Sequence, residues 1–432
     1  MTGRRRTRTT SPTPPRPRKA KLLYAGAFIA CASVAVGCGV IPGATGGSGD
    51  GPVKVMTWAP EKTNATNKPG MPALAKAYAR WVNAHGGING RRLEVLTCND
   101  HNDSVDAAHC AERAVEEKVV AVVGSYSQHS RAFLSPLESA GIPYIGGFGV
   151  TDDEFTSPVS YPVNGGQGVL LAGLGEQLGK NCGPVSLIRP DTIAGDELPV
   201  LLDAGLKALG HPQAADQRAA EDATEYSRPT RLALDHATSE PGRQGCVVPA
   251  LGDRTNTFMD SFRRDSANYR KVHTGTVISS IDQSQIDATG GKSGPYEGSY
   301  VTGWYPTAND SRWDAMRKAI KEQAFGDNRI DPADSGVQTT WVAYTVLKRV
   351  IESLGAGEVS PLTVRHQLDS GIKVGTGGVT PTLSWRFDAQ TPAADFPRLV
   401  NADVTFQVIR DGQLTSQRSG FVNMAKTLAA AD

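Results

Sequence analysis

Short apolar runs alternate with segments of helical spacing from residue 53 onward. The runs "VKVMTW", "KVVAVVGSY" and "PVSLIRP" are almost continuously apolar, which is typical of buried strands. Between the first two runs, Leu74, Tyr78, Trp81 and Val82 recur at helical spacing. Continuous apolar strands separated by helices indicate parallel sheets covered on both faces, and the alternation starts again after residue 165. The pattern therefore predicts an α/β fold with two doubly wound parallel-sheet lobes.

Three glycines interrupt this pattern in "NAHGGINGRRLEVLTCND", residues 83–100. Gly86 and Gly87 follow the predicted helix, where glycine is common because it tolerates a positive φ. Asn89-Gly90 is a tight-turn dipeptide, and the alternation that follows predicts a strand. The stretch predicts a helix, a double-glycine stop, a turn and a strand. These residues are explained equally well as an ordinary connection between a helix and a strand, with no further role.

The end of the chain follows a different pattern. "TLSWRFDA" (382–389) and "VTFQVIRDG" (404–412) alternate apolar with polar residues and are separated by turn residues. A late strand pair cannot easily extend a buried parallel sheet, so we expect these two to form an antiparallel hairpin at a sheet edge. Residues 213–225, "QAADQRAAEDATE", predict a short strand or a loop.

The first 37 residues have the features of a secretory signal peptide. The segment "RRRTRTTSPTPPRPRKAK" is basic and proline-rich, and an uncharged apolar stretch of about 15 residues follows it. "AVGC" then resembles a bacterial lipobox, which makes Cys38 the predicted lipidated residue, and the glycine-rich residues 38–52 predict a flexible tether. The main alternative to lipidation is that the apolar stretch stays as a transmembrane helix. A basic tail that binds nucleic acid is a weaker alternative.

The charge of the remaining body argues against nucleic acid as a partner. The chain has 45 basic and 44 acidic residues, but eight of the basic residues lie in the first 37 residues, which hold no acid. The body therefore has 37 basic and 44 acidic residues, a net charge of −7. Phosphate binding needs a basic surface, so we expect no nucleic-acid partner.

Motifs of catalysis and metal binding are missing from the sequence. "GSYSQ" lacks the closing glycine of a nucleophile elbow, and no Gly-x-x-x-x-Gly-Lys phosphate loop is present. "CNDHNDSVDAAHC" is rich in potential ligands, but its spacing fits no zinc pattern. Val105 and Ala111 stand where a calcium loop needs glycine and glutamate. We therefore expect no enzymatic activity, no metal and no cofactor.

Four cysteines follow Cys38, and an even number in an exported protein indicates disulfides. These four allow three pairings. Cys98 ends a predicted strand and Cys110 lies in the next helix, so the two can meet locally. Cys182 and Cys246 each open an apolar strand, and their sulfurs lie side by side if those strands are parallel neighbours. We therefore prefer the pairs Cys98–Cys110 and Cys182–Cys246.

The order of elements resembles the extracellular solute-binding proteins of type I fold, specifically the branched-chain amino-acid (Leu/Ile/Val) binding group that feeds ABC transporters. "GGINGR" before a strand that ends in Asp100 is similar to a motif of that family, as is "VVAVVGSYSQHSRAFLSPLESAGIPYI". "AYTVLKRVIESLG", and "SWRFDAQT" with "VTFQVIRDG", are similar to its late helix and closing hairpin. The resemblance covers residues 53–415 and implies a type I periplasmic binding protein.

This resemblance also implies how the chain divides into lobes. The hinge of that fold has three chain crossings, which would fall near Tyr161–Asn164, Gly298–Thr302 and Thr382–Arg386. The first lobe is then made of residues 53–163 and 299–384, and the second lobe of residues 164–298 and 385–432. Connecting strands of this kind act as a hinge while each lobe moves as a rigid body.

Candidate binding residues follow from the strand exits, because ligands in open α/β sheets bind beyond the carboxyl ends of strands. The helix start after the third strand favours a carboxylate, an acid in the second lobe can hold an ammonium group, and Arg254 can hold a second carboxylate. Core packing explains the aromatic candidates equally well, and helix capping explains the hydroxyl-bearing ones. The candidates are Trp58, Tyr126, Ser127, Gln128, Phe148 and Thr151 in the first lobe, and Asp191, Asp253, Arg254, Ser280 and Asp282 in the second.

The function implied by the resemblance is that of a lipid-anchored solute-binding protein on the extracytoplasmic face of the cell membrane. It would capture a small polar ligand, amino-acid-like in chemistry, between two lobes and deliver it to an ABC permease. The expected partners are that ligand and the permease, and the chain is expected to act as a monomer. A ligand-sensing receptor that uses the same clamp without transport is the alternative. The family's amino-acid group offers a tyrosine from the second lobe where Ala194 and Asp253 stand, so the ligand class stays open.

Overall fold

The structure, a computed structural model, describes residues 51–431 with short gaps at 64–65, 193, 221–222, 387, 389, 391–392 and 394–395. The predicted signal peptide, Cys38 and the tether as far as residue 50 lie outside the described residues, as do the side chains of Ala194 and Asp253. None of the helices in the described part of the chain combines the length and the apolar character that a membrane span requires.

Strands occur throughout the described chain and are numbered in chain order. They are β1 (Val53–Trp58), β2 (Leu93–Cys98), β3 (Ala121–Val123), β4 (Tyr144–Ile145), β5 (Ser160–Tyr161), β6 (Val185–Pro190), β7 (Ala215–Ala219), β8 (Cys246–Pro249), β9 (His273–Val277), β10 (Tyr300–Gly303), β11 (Asp403–Arg410), β12 (Gln413–Ser416) and β13 (Val422–Asn423).

Helices separate most of these strands. They are α1 (Gly70–Ala84), α2 (Ser104–Glu116), α3 (Ser130–Ala140), α4 (Asp153–Thr156), α5 (Gly166–Asn181), α6 (Glu197–Lys207), α7 (Ser227–Ala237), α8 (Thr255–Ser266), α9 (Gln283–Ala288), α10 (Asp314–Gln323), α11 (Ser335–Leu354), α12 (Pro361–Asp369) and α13 (Ala425–Leu428). Short 3-10 turns precede α6, α8 and α10.

The first lobe is built on a parallel sheet of order β2-β1-β3-β4-β5. Strand β1 is buried on both faces because its side chains alternate between two apolar clusters. Val53 and Val55 join the cluster that contains residues of α1 and α11, whereas Met56 and Trp58 join the cluster that contains residues of α2 and α3. Helices on both faces thus explain the continuous apolar run of β1.

The second lobe is built on a sheet of order β12-β11-β10-β9-β8-β6-β7, with β13 added beside β11. Strands β6 to β10 pair in parallel, and β11 returns antiparallel to β10. Helix α5 packs on β9, β10 and β11, and α7 packs on β6, β7 and β8. The predicted two doubly wound α/β lobes are therefore confirmed, and the region 213–225 contains β7 as a short strand.

The prediction of the edge hairpin is wrong for its first strand. The hairpin consists of β11 and β12, with Ile409 opposite Leu414, and residues 382–389 form no regular strand among those described. In that segment Leu383 makes an isolated bridge to Val374, and the Trp385 indole N–H donates to the Pro162 carbonyl at 2.8 Å. The alternating pattern there reflects side chains that are buried by packing on the hinge region rather than by strand pairing.

The strand pairing also bears on the expected hinge. Strand β10 pairs with β9 and β11, so the chain leaves the second sheet after Gly303 and not within Gly298–Thr302. Tyr305 then lies between the lobes, where the Asn164 side-chain amide donates to its hydroxyl at 3.3 Å. We keep the other lobe boundaries as a proposal.

The glycine-rich junction after α1 forms a tight turn that bonds to the end of α11. Asn89 and Gly90 have φ values of 51° and 79°, and Ile88 bridges Arg91 across the tight turn. A Cβ atom at Gly87 would collide with the Arg91 carbonyl. The Asn89 side chain donates to the Ile351 carbonyl at 2.9 Å, and the Arg91 guanidinium donates to carbonyls just beyond α11. The turn therefore fastens the α1–β2 connection to the carboxyl end of α11.

Both predicted disulfides are present. Cys98 and Cys110 have a Cα–Cα distance of 5.8 Å and join the end of β2 to α2. Cys182 and Cys246 have a Cα–Cα distance of 5.7 Å. The second pair meets because β6 and β8 are parallel neighbours, with Val185 opposite Cys246.

Candidate ligand-binding cleft

A cavity of about 340 Å³, here called the cleft cavity, lies between the two lobes at the carboxyl ends of β3, β4 and β9. Parallel strands of both sheets end there, which is the usual position of a ligand site in this class of fold. Its lining comes from Thr66, Asn67, Lys68, Tyr126, Gln128, Phe148, Val150 and Asp334 of the first lobe, and from Gln167, Gly252, Asn256, Ile278, Ser279, Ser280, Ile281, Asp282 and Gln285 of the second.

Aromatic rings form part of the first-lobe wall. Tyr126 and Phe148 meet edge to face with ring centroids 5.1 Å apart, and Phe148 makes a similar contact with Trp304. The Gln128 side-chain amide donates to the Tyr126 hydroxyl at 3.2 Å. These contacts hold the two rings in place against one side of the cavity.

A buried carboxyl group fixes the loop that follows Phe148. Glu154 accepts hydrogen bonds from the backbone N–H groups of Gly149 at 3.2 Å and Val150 at 2.9 Å. Burial raises the pKa of Glu154 to about 7, although these backbone donors favour its charged form. Since Val150 lines the cleft cavity, Glu154 holds part of the wall from behind.

An ion pair stands beside the aromatic wall. The Lys68 ammonium lies 3.0 Å from the Asp334 carboxylate, and their side chains are 14% and 18% exposed. Burial alone would lower the pKa of Lys68, but the charge and the hydrogen bond of Asp334 outweigh it, so the pKa is raised. Asp334 also caps α11 by accepting from the Val337 backbone N–H at 2.8 Å. The same ammonium lies 5.4 Å from the centre of the Phe148 ring.

The turn between β9 and α9 forms much of the second-lobe wall. Asp282 caps α9 by accepting from the Gln285 backbone N–H at 2.8 Å, and the Gln285 side chain accepts in return from the Asp282 backbone N–H. Burial raises the pKa of Asp282, and the neighbouring Asp334 adds to that rise. Ser279 donates to the Gln167 side-chain oxygen at 3.0 Å, which ties the turn to α5.

The charges in the cleft cavity are unbalanced toward the acidic side. Lys68 and Asp334 offset each other, and Asp282 faces the same space from the opposite lobe. Asp282 is partly buried and forms no ion pair within the described part of the chain, and a ligand ammonium group would relieve the cost of its charge. The arrangement can therefore bind a positively charged or zwitterionic group between the lobes.

The two lobes also touch at the edge of the cleft. The Ser284 hydroxyl in α9 donates a hydrogen bond to the Asp331 carboxylate, which lies just before α11. The charge of Asp331 adds to the rise in the pKa of Asp282 that burial causes, and the charge of Lys68 opposes it. The described conformation therefore has the lobes in direct contact beside the cavity.

Five of the eleven predicted binding residues line the cleft cavity. Tyr126, Gln128 and Phe148 do so from the first lobe, and Ser280 and Asp282 from the second. All five lie at the carboxyl end of a strand or in the turn that follows, as the strand-exit argument requires.

The other first-lobe candidates lie elsewhere. Trp58 is fully buried and packs against Phe133 and Tyr144. Ser127 accepts from the His129 backbone N–H at 3.2 Å and bonds with Asp100 beneath the surface. Thr151 bonds with the Ser130 hydroxyl at the start of α3. Core packing and capping of the local chain explain these three residues.

The second-lobe candidates outside the cavity are more exposed. Asp191 pairs with Arg218 at 3.3 Å on the surface, where both side chains are more than 60% exposed. Arg254 is exposed and does not line the cleft cavity. The Asp253 side chain lies outside the described residues, but Gly252 and Asn256 on either side of it line the cavity.

Sequence reasoning missed the ion pair. Lys68 lies just before α1, at the far end of the loop that follows β1, and Asp334 lies just before α11, so neither directly follows a strand. Asp334 does carry a local signal, because an acid immediately before a long apolar helix is typical of an N-cap. Its position in the cleft cavity depends on the packing of α11 beside α1, which the local pattern does not show.

A second cavity, of about 470 Å³, lies beside the hinge segment that follows β10. It is lined mainly by amide and apolar side chains, among them Gln338, Gln407 and Leu414. We place the candidate site in the cleft cavity because strand ends converge there from both sheets and charged groups face it from both lobes. Within the described residues, no group of three His, Cys, Asp or Glu side chains is arranged to hold a metal ion.

Comparisons with known proteins agree with this architecture. A family model described as periplasmic binding protein matches residues 63–394. Comparison with the curated protein sequences gives no match. A solved structure of a possible leucine/isoleucine/valine-binding protein from Rhodopirellula baltica SH 1 has a TM-score of 0.68 and 13% identity, with 86% of this chain and 97% of that chain covered.

Two further solved structures are similar. The leucine binding protein of Thermotoga maritima MSB8 has a TM-score of 0.65 and 15% identity, with 86% of this chain and 99% of that chain covered. A solute binding protein of an ABC transporter from Rhodopseudomonas palustris BisB5, in complex with 3,4-dihydroxy benzoic acid, has a TM-score of 0.66 and 14% identity, with coverages of 87% and 98%. Identities this low indicate a shared fold. The family match spans most of the chain, which therefore belongs to the periplasmic binding proteins, a family of solute-binding proteins and not of enzymes.

Proposed function

We propose that this protein captures a small polar ligand in the cleft cavity, is held at the extracytoplasmic face of the membrane by a lipid on Cys38, and delivers the ligand to an ABC permease. The observation that carries the ligand site is the convergence of Lys68 and Asp334 from one lobe with Asp282 from the other. A ligand that contacts both walls favours the state in which the lobes are together, because it binds that state more tightly than the open state.

The chemistry of the walls favours a ligand that carries an ammonium group. Asp282 offers a carboxylate that is not the partner of Lys68 in the described ion pair, and the rings of Tyr126 and Phe148 can face a cation or a flat group. The side-chain amides of Gln128, Gln167 and Gln285 supply further donors and acceptors. An amino-acid-like ligand fits this set, with its carboxylate directed toward Lys68.

The remaining parts of the proposal come from the sequence and from the relatives. The "AVGC" motif supports lipidation of Cys38, and the basic apolar leader supports export. Similar structures include a solute binding protein of an ABC transporter and a putative branched-chain amino acid ABC transporter, which supports delivery to a permease. We propose that the chain acts as a monomer, because one chain supplies both walls of the cleft cavity.

A thermal-shift screen tests the binding site. The mature protein is heated with amino acids, polyamines, sugars and aromatic acids, and a bound ligand raises the melting temperature by mass action. We expect hits among compounds that carry an ammonium group. Asp282→Asn keeps the helix cap but removes the charge, so it should reduce those shifts, whereas the surface control Asp191→Asn should preserve them. Hits that Asp282→Asn leaves unchanged would contradict this site.

Membrane fractionation tests the anchor. Cys38→Ala should release the protein into the soluble fraction if a lipid on that cysteine holds it. Retention of the Cys38→Ala variant in the membrane fraction would favour the transmembrane alternative.

A further inference from the structure

The second cavity, beside the hinge segment that follows β10, is here called the hinge cavity. Its volume of about 470 Å³ lies within the range of about 300 to 1,000 Å³ that small-molecule sites occupy. The first lobe contributes Ala333 and Gln338 to its wall, and the second lobe contributes Gln407 and Leu414. A molecule bound in the hinge cavity would therefore contact both lobes.

The hinge cavity is separate from the cleft cavity. Among the described residues, Ile278 alone lines both. At the start of α9, Gln283 lines the hinge cavity and Gln285 lines the cleft cavity. Ser284 stands between them in sequence, and its hydroxyl bonds with Asp331 of the first lobe. This contact between the lobes therefore separates the two spaces.

Gln407 carries a buried acceptor in the wall of the hinge cavity. It is 1% exposed, and its amide nitrogen donates to the Tyr305 carbonyl at 2.9 Å and to the Thr405 hydroxyl at 2.8 Å. Because a carbonyl only accepts, these bonds fix the nitrogen toward Tyr305, and the amide oxygen is left without a partner among the described residues. A buried acceptor without a partner is unfavourable, and a donor on a bound molecule would relieve that cost.

The first lobe offers a similar group. Gln338 of α11 is 3% exposed, and its amide nitrogen donates to the Pro332 carbonyl at 3.0 Å, so its amide oxygen can accept from a bound molecule. Tyr305 links the two glutamines, because its carbonyl accepts from Gln407 and its hydroxyl bonds with Thr339, the neighbour of Gln338. The hinge cavity therefore has an acceptor from each lobe.

The rest of the wall selects against charge. Arg317 is the one charged residue among the described residues that line the hinge cavity, and Asp314 pairs with it. The Arg317 guanidinium also donates to the Ala308 carbonyl of the hinge segment. A cation would meet no carboxylate among the described lining residues, and an anion would compete with Asp314 for Arg317. A neutral molecule is therefore favoured, and Ile278 with Leu414 offers it apolar surface.

We propose that the hinge cavity binds a second small molecule, neutral and rich in hydroxyl groups, such as a polyol or a monosaccharide, and that this molecule holds the lobes together. Its hydroxyl groups would donate to Gln407 and Gln338, and its C–H face would pack on Ile278 and Leu414. The cleft ligand and this molecule would then be different ligands of one chain.

The two cavities share the segments that form their walls. At the start of α9, Asp282 lines the cleft cavity and Gln283 lines the hinge cavity, and before α11 Ala333 lines the hinge cavity and Asp334 lines the cleft cavity. A molecule that favours the state with the lobes together should therefore raise the affinity of the cleft for its own ligand, and the reverse. This coupling rests on the proposed function, whereas the hinge site does not.

Saturation-transfer NMR and calorimetry with defined probes test the site. The probes are myo-inositol and glucose, with glucosamine and glucuronate as charged counterparts, each at up to millimolar concentration. We expect at least one neutral probe to bind, and the charged counterparts to bind at least about tenfold more weakly. Binding by neither neutral probe, or tighter binding of a charged one, would overturn the proposed ligand class.

Variants that fill the hinge cavity locate the bound probe. Ala308→Trp and Ala333→Trp each add an indole at a half-buried loop position that lines the cavity, so at least one is expected to fold. Each should abolish binding of the neutral probe, because the indole occupies its space. Ala315→Trp places the same indole on the exposed side of α10 and should leave binding unchanged.

The two acceptors have their own readout. Gln407→Met and Gln338→Met remove the amide oxygens and keep the length of the side chains. Each should weaken binding of the neutral probe by about fivefold, because one hydrogen bond is lost. Wild-type affinity in both variants would overturn recognition through these glutamines.

Small-angle scattering tests whether the bound molecule holds the lobes together. The neutral probe should lower the radius of gyration of Ser284→Ala, which lacks the hydrogen bond at the cleft edge, and should not lower that of Ser284→Ala with Ala308→Trp. A bound probe that leaves the radius of Ser284→Ala unchanged would overturn the bridging role.

The remaining measurements separate this site from the cleft. Asp282→Asn should leave binding of the neutral probe unchanged. A probe lost in Asp282→Asn and kept in both cavity-filling variants would lie in the cleft cavity, which would overturn the hinge site and support the proposed function. When the cleft ligand from the thermal-shift screen is titrated with the neutral probe present, its affinity should rise by at least about fivefold, and an equal affinity would overturn the coupling.

Discussion

The two walls of the cleft cavity differ in how they are held. The first-lobe wall is braced from several directions, by edge-to-face rings, by the Lys68–Asp334 ion pair and by the Glu154 carboxyl behind the loop of Val150. The second-lobe wall consists mainly of the turn between β9 and α9, which hydrogen bonds hold in place: a capping box at Asp282, the Ser279–Gln167 bond, and the bonds of Gln283 to Gly412 and Leu414. The Tyr126 and Phe148 side chains of the first wall are also almost fully buried.

Because of this difference, the two walls are suited to different steps of ligand binding. A braced wall loses little entropy when a ligand arrives, so the first lobe is suited to bind the ligand initially. The second lobe contributes Asp282 only when the lobes come together, so it is suited to select among ligands. The same difference predicts how each lobe responds when one of its supports is removed.

Removal of the disulfides should cause the largest loss of stability, and it should be larger in the second lobe. Cys182 and Cys246 are 64 residues apart, whereas Cys98 and Cys110 are 12 apart. Loop-closure entropy then predicts a cost of about 4 kcal/mol for the second-lobe pair and about 3 kcal/mol for the first-lobe pair. Urea denaturation of the two double alanine variants measures this order. A larger loss from Cys98→Ala with Cys110→Ala would show that local strain or residual structure outweighs loop length.

The buried carboxyl of the first wall should make stability depend on pH. The pKa of Glu154 is about 7 in the folded protein, above its unfolded value of 4.5, so the folded state holds the proton more tightly. Its contribution is fully present below pH 4.5 and is lost as the pH rises through 7. Glu154→Gln should therefore reduce the stability difference between pH 5 and pH 8 by on the order of 3 kcal/mol.

Denaturation at the two pH values measures this change. Glu112→Gln, which alters an exposed carboxyl group in α2 of the same lobe, serves as the control. A Glu154→Gln variant with the wild-type pH dependence would mean that other groups dominate the titration of the first lobe.

The contact at the cleft edge should have a smaller effect. Ser284→Ala removes the hydrogen bond to Asp331 that joins the lobes. A bond of this kind contributes about 1 kcal/mol, so the state with the lobes together should lose about fivefold in population relative to the open state. Small-angle scattering without ligand should report a larger radius of gyration for Ser284→Ala than for Ser279→Ala, whose hydroxyl bonds within one lobe. Equal radii would contradict a role for this contact in closure.

Periodicity was enough to predict the two lobes, since the apolar runs correspond to strands that are buried on both faces. It overestimated strand length at "KVVAVVGSY", where only Ala121–Val123 form β3, because the chain turns into the cleft directly afterwards. It also misassigned residues 382–389, where burial against the hinge produces an alternating pattern without a strand partner. Local patterns report burial, and burial has more than one cause.

The site was predicted less completely. Strand exits led to Tyr126, Phe148 and Asp282, because parallel strands of one sheet end at the same edge. Trp58 also ends a strand, but its side chain is fully buried beside Phe133 of α3 and does not line the cleft cavity. Lys68 and Asp334 are 266 residues apart in sequence and meet through helix packing, so no local signal pairs them.

Calorimetric titration of variants from each wall shows whether both lobes bind the same ligand. The ligand is an ammonium-bearing hit from the thermal-shift screen, and the variants are Asp282→Asn for the second lobe and Lys68→Met with Asp334→Asn for the first. If both lobes contact the ligand, each variant should weaken binding by about tenfold or more, because each loses a hydrogen bond to a charged group. The control Asp191→Asn should bind as the wild type does. Wild-type affinity in either cleft variant would show that its lobe takes no part in binding and would contradict a ligand site shared by the two lobes.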